Sequence, residues 1–199
     1  FDRYFGIPYS NDMQRQTAEG GERVVPLLRD DKVAELLSDE DQRRIVERYT
    51  AEAVAFIHEK QDSPFFLYLP HTAIHTPIFP GSRFAGKSAN GRLGDWIEEI
   101  DWSVGQVLDT LRRLGLHERT LVVFTSDNGP WLVKGSDGGS AGPLRGGKGS
   151  TWEGGVRVPM LAWWPGRIAS GNVCDAVAGT IDFLPTAVSL AGGDLPPGP

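Results

Sequence analysis

Between Ser38 and Lys60 the chain reads "SDEDQRRIVERYTAEAVAFIHEK", and its apolar positions Ile45, Tyr49, Val54, Phe56 and Ile57 fall on a roughly helical stripe. Ser38 stands before three acids, the chemistry of an N-cap and a first helical turn. A second stretch, "DWIEEIDWSVGQVLDTLRRLGL", places Trp96, Ile97, Ile100, Val104, Val107, Leu108 and Leu111 at helical spacing and stops at Gly115, which predicts an amphipathic helix with a glycine end. Three runs have the length and the β-branched or aromatic content of strands: "PFFLYLP" at 64–70, "TLVVFTSD" at 120–127 and "RVPMLAWWPG" at 157–166. "DAVAGTIDFLPTAVSLAGG" predicts a capping segment and a closing helix. Residues 1–37 show little periodicity and predict a loop-rich lead-in to an α/β core at 38–199.

Helices and strands alternate along this core, with long loops after Leu69 and after Ser126. Such alternation predicts a layered α/β domain with a largely parallel sheet. If the strands at 64–70 and 120–127 are parallel, both loops open on one edge, where open α/β sheets hold ligands.

Composition narrows the function classes. Apolar residues make up 40% and charged residues 23% of the 199, within the range of folded soluble chains. A net charge of -6 argues against a nucleic-acid partner, which calls for a basic excess. No apolar run approaches the ~18 residues of a membrane span. The single cysteine, Cys174, excludes an internal disulfide framework and reads as a small buried hydrophobe.

Three features converge on the predicted loop edge. "PHTAIHTP" carries His71 and His75. "SDNGP" offers the oxygens of Asp127 and Asn128, the donor type hard divalent cations take, although Asp-Asn-Gly is also ordinary turn chemistry. "LRGGKGSTWEGG" sets Arg145 and Lys148 among glycines, where backbone and cations can approach an anion together. It is no phosphate-binding P-loop, because Gly149 rather than Ser or Thr follows the lysine. Metal oxygens, an imidazole and two cations are the parts for hydrolysing an anionic ester. His71 reads as a satisfied loop histidine, the carboxylates of "DWIEEID" as the wet face of their helix, and Trp163-Trp164 as a strand flank.

"FDRYFGIPYSNDM", "PFFLYLPHTAIHTP", "GRLGDWIEEIDWSVGQVLDTLRRLGL", "TLVVFTSDNGP", "LRGGKGSTWEGGVRVPMLAWWPGRI" and "IDFLPTAVSLAGG" together resemble the type I sulfatases, in the arylsulfatase A and N-acetylgalactosamine-6-sulfatase branch. The resemblance covers nearly the whole chain and implies the C-terminal part of a catalytic domain, residues 1–199 forming part of an alkaline-phosphatase-like α/β/α sandwich with a mostly parallel or mixed sheet. It implies that Asp127 and Asn128 bind one divalent cation, usually Ca²⁺ with Mg²⁺ the other candidate, and that His75 and Lys148 contact the sulfate ester. It also implies a formylglycine nucleophile made from a C/S-x-P-x-R motif. That motif does not occur in these 199 residues, nor do the paired aspartates that begin the family's metal site. The expectation is therefore about half of an active site, with the nucleophile upstream of Phe1, inactivity of these residues alone, and self-association through an exposed half-domain face. A sulfated small molecule or glycan is the implied substrate, and an extracytoplasmic location (periplasmic, secreted or lysosomal) follows from the resemblance alone. The alternatives are a phosphoester or phosphonate hydrolase of the same superfamily, or a non-catalytic anion- or Ca²⁺-binding unit.

Overall fold

The lead-in is a small antiparallel sheet rather than loop. In the computed structural model, which describes residues 1–17 and 21–195, β1 (Phe5–Gly6), β2 (Arg15–Gln16) and β4 (Lys32–Leu37) all pair antiparallel with β3 (Arg23–Arg29). A two-residue turn at Asp30-Asp31 closes the β3–β4 hairpin, with Arg29 opposite Lys32. Asp30 takes a φ of 55°, the left-handed geometry such turns demand and aspartate tolerates. A register shift between Leu27 and Leu28 bends the hairpin, and Val25, Leu27 and Leu37 end fully buried.

The helical periodicities hold. Ser38 caps α1 (Asp39–Gln42) with a reciprocal capping box to Asp41, and the chain kinks at Arg43-Arg44 before α2 (Ile45–Lys60). α3 (Gly91–Arg113) ends as its sequence predicted. The N–H of Gly115, at φ 66°, donates to Arg112 O, and Leu116 N–H donates to Leu111 O, the paired closure that a left-handed residue makes possible. Ile45, Val46 and Tyr49 of α2 and Trp96 and Ile100 of α3 join Val25, Leu27 and Leu37 in one core. Each such buried side chain contributes about 1.5–3 kcal/mol relative to exposure.

Two carboxylates read as the wet face of α3 are inside. Asp95 accepts hydrogen bonds from the backbone N–H groups of Gly86, Lys87 and Ser88 at 2.7–2.9 Å, and Glu99 from Gly81 N–H at 2.8 Å. They gather the loop at 81–88 against the helix. Donation by those N–H groups holds the Asp95 carboxyl below its ordinary range, while burial pushes Glu99 up against the opposing pull of Gly81. Glu98 and Asp101 do face solvent.

The expected parallel sheet is not seen among the described residues, where every strand pairing is antiparallel. β5 (Val122–Thr125) pairs with β6 (Met160–Trp163), on the far side of the short helix α4 (Glu153–Val156). "PFFLYLP" is extended but forms no ladder. Phe65, Leu67 and Leu69 turn inward, Phe65 and Leu67 reaching the cluster of Ile57, Leu111 and Leu116, whereas Phe66 and Tyr68 stay exposed. An apolar run gives a strand its conformation; a ladder also needs a neighbour with free backbone groups. The closing helix is α5 (Phe183–Leu190), and Cys174, expected inside, is exposed.

Candidate active site

Two Gly-rich loops meet backbone to backbone at the end of β5. Beyond Thr125 the chain turns at Ser126, whose hydroxyl donates to Asn128 O at 3.0 Å, and the oxygen-bearing side chains of Asp127 and Asn128 sit in that turn. The next residue is locked to the loop carrying Lys148. Gly129 N–H donates to Gly155 O at 3.0 Å, Lys148 N–H to Pro130 O at 2.8 Å, and Gly154 N–H to Arg145 O at 2.8 Å. A Cβ on Gly129 would lie 1.8 Å from Gly154 O, so no side chain fits at this contact. These glycines allow two backbones to touch, which ties the backbone of Lys148 to Pro130, two residues beyond Asn128.

A second convergence is aromatic. The Trp131 ring lies 5.5 Å from the His75 ring, with Lys148 Nζ at 5.3 Å and Lys134 Nζ at 4.4 Å from its centroid. The indole face attracts the ammonium groups and holds three cationic or titratable side chains around one point. In a chain of net charge -6, this local positive excess suits an anionic ligand. Arg145 lies apart from it, stacked 3.6 Å over Trp152.

His75 is held from behind. Its Nδ1 lies 2.7 Å from Thr76 O and 3.4 Å from Ser10 Oγ. A carbonyl oxygen only accepts, so Nδ1 carries the hydrogen and Nε2 is left for a ligand. Buried Asn11 donates through Nδ2 to Pro77 O at 3.2 Å and His75 O at 3.5 Å, bracing the loop at His75 and just after it. His71, by contrast, is packed away from this cluster. Its Nε2 meets Ser103 Oγ at 3.2 Å, that hydroxyl meets Thr50 Oγ1 at 2.6 Å, and burial lowers the His71 pKa to about 4. It is a neutral structural histidine between α2 and α3.

Asp127 is exposed and Asn128 partly so. Their carboxylate and amide oxygens match a hard divalent cation by type. By number they form part of a shell, since Ca²⁺ takes six to eight oxygens. No cluster of three or more His, Cys, Asp or Glu suited to a metal occurs among the described residues.

The loops after Leu69 and after Ser126 thus meet where His75 and Lys148 reach Trp131, although the runs before them do not pair as the parallel strands on which that expectation rested. Ser10, Asn11 and Trp131 escaped the sequence reading. "PYSND" and "GPW" carry no spacing that announces a site, and only folding brings them to His75.

Comparison with known proteins gives the family. The sulfatase family model matches residues 1–193. Arylsulfatase A of Homo sapiens is 42% identical over 98% of this chain, and N-acetylgalactosamine-6-sulfatase of Mus musculus 39% identical over 96%. The chain spans 41% and 38% of the lengths of those relatives. Among solved structures, the PsFucS1 sulfatase from Pseudoalteromonas sp. superposes with a TM-score of 0.78 at 36% identity, over 88% of this chain and 34% of that one. The protein Ps i-CgsB, solved in complex with k-i-k-neocarrahexaose, gives a TM-score of 0.77 at 31% identity, over 98% of this chain and 47% of that one. A chain matched over nearly its whole length in sequence, and by sulfatase structures in fold, belongs to the sulfatase family.

Proposed function

We propose that the protein carrying this chain hydrolyses a sulfate monoester, and that these residues supply one side of its active site within an alkaline-phosphatase-like α/β/α sandwich. The observation that carries the reading is the meeting of His75 and Lys148 at Trp131, with Asp127-Asn128 locked alongside through Gly129. Lys148 holds a positive charge against the ester oxygens, whose negative charge rises towards the transition state. His75, fixed through Nδ1, presents Nε2 to the departing oxygen and, as the imidazolium with a hydrogen on both nitrogens, gives it the Nε2 proton and is left neutral, sparing the release of an alkoxide. Asp127 and Asn128 hold a divalent cation, Ca²⁺ foremost, which when bound neutralises sulfate charge and orients the nucleophile. The nucleophile is formylglycine, contributed from outside these 199 residues, as are the remaining metal ligands.

The substrate is a sulfated small molecule or glycan, and the setting is extracytoplasmic. No helix among the described residues is long and apolar enough to cross a membrane. The 199 residues in isolation are inactive and self-associate through exposed apolar positions such as Leu161 at 68% and Ile181 at 85%, which light scattering would detect as mass above one chain.

The test is turnover of 4-nitrophenyl sulfate against 4-nitrophenyl phosphate. We expect the sulfate to be preferred, chelation by EDTA to remove activity, and Lys148→Ala to cost roughly 10²-fold or more in kcat/KM. Preference for the phosphate would transfer the same geometry to a phosphoester hydrolase. Metal binding without turnover of either ester would leave a non-catalytic anion- and Ca²⁺-binding unit.

A further inference from the structure

Beside His75 lies a cavity of about 260 Å³ bounded by Asp12, Thr76, Pro77, Arg92, Lys134 and Asp137. It shares two walls with the cluster described above. Thr76 and Pro77 follow His75 directly, and Thr76 O is the acceptor that fixes the His75 ring. Lys134 belongs to the cavity and to the cations around Trp131. A group entering here therefore lies against the peptide that follows His75 and beside Lys134, one of the cations around Trp131.

The cavity wall is charged at four of its six positions. Arg92 and Asp137 satisfy one another in an ion pair. Lys134 forms no ion pair among the described residues, and its ammonium is held by the indole alone. Asp12 likewise forms none, and its carboxylate can accept from hydroxyl groups. An apolar ring placed here would strip water from both charges with nothing to replace it. A hydroxylated ring can donate to Asp12 and Thr76, and an anionic substituent can pair with Lys134. The volume accommodates a single ring-sized group.

Building on the sulfatase reading, we propose that this cavity is the leaving-group subsite, that Lys134 is its specificity-determining residue, and that it selects a sulfated sugar bearing a second anionic group. Lys134 acts on the unreacted part of the substrate, so its contribution appears mainly in KM, and it weakens as salt screens the pair.

The test compares kcat/KM of the complete protein carrying this chain for three esters: 4-nitrophenyl sulfate, an N-acetylhexosamine 6-sulfate, and the corresponding 4,6-disulfate. We expect the disulfate to be preferred over the monosulfate. Lys134→Ala should reduce that preference at least about tenfold, chiefly through KM, and Lys134→Arg should restore most of it. Lys134 is exposed, so folding is not at risk. A Lys134→Ala variant that keeps the preference, or loses all three esters in equal proportion, overturns the subsite while the sulfatase reading stands. A wild-type protein that hydrolyses none of the esters overturns the sulfatase reading and the subsite with it.

Discussion

The body formed by β1–β4, α2 and α3 and the region from β5 onward are built on different physical principles. In the body, Val25, Leu27, Leu37, Ile45, Val46, Ile57, Trp96 and Leu111 are almost wholly removed from water. From residue 121 to residue 195 the only buried residues are Gly147, Gly154 and Gly155. The body is held by apolar area, and the loops by hydrogen bonds between bare backbones. Stability and active-site geometry should therefore respond to different substitutions.

The largest effect belongs to the body. Trp96, 1% exposed and edge-on to Phe79, should cost about 3–5 kcal/mol when replaced by alanine, read from urea or thermal unfolding. A loss below about 1 kcal/mol would break the contrast, because the largest of the fully buried side chains would then contribute no more than a surface one.

Next comes a dependence on pH confined to the same body. The pKa of His71 is about 4 in the folded chain, against about 6.5 when unfolded. Between those values the unfolded chain binds the extra proton and the folded chain does not. Stability is therefore complete above about pH 6.5 and declines as the pH falls towards 4, by up to about 3 kcal/mol. Unfolding free energies across that window, in wild type and His71→Gln, measure the difference; equal slopes would assign the acid sensitivity elsewhere.

The loop counterpart is Gly129→Ala. The clash with Gly154 O should push Asp127-Asn128 away from Lys148, and a displacement of about 1 Å in a catalytic constellation costs on the order of 10²-fold in rate. Melting should move less than for Trp96→Ala. Steady-state kinetics beside a melting curve sharpens the comparison, and a variant that loses stability without losing rate would reverse it. At the small end stands Asp109→Asn, which opens an exposed pair with Arg112 on the surface of α3 and should change unfolding by no more than about 0.5 kcal/mol.

The helices were legible because their signals are local. Ser38 and Asp41 satisfy each other within one turn, and Gly115 ends α3 through its own φ. The β3–β4 hairpin was not, since Pro26 interrupts a strand pattern and Asp30-Asp31 is a weak turn signature. "PFFLYLP" was misread as a buried strand because composition does not reveal which side a neighbour will cover. Asp95 and Glu99 looked solvated because their partners are backbone N–H groups, which every residue but proline carries. The positions of His75, Asp127, Asn128 and Lys148 stood in recognisable motifs. Ser10 and Asn11 join His75 from 65 and 64 residues before it and Trp131 from 56 residues after it, a relation only the fold creates.

The contact between Gly129 and Gly154 also bears on how this region can be recombined. Two loops that touch through unprotected backbone behave as one cassette, because neither tolerates a partner that brings a side chain to the seam. A chimaera that exchanges residues 126–131 alone with a homologue inherits a mismatched seam, whereas one that exchanges 126–155 as a block carries both halves of the lock. The unit of grafting at this site is the loop pair.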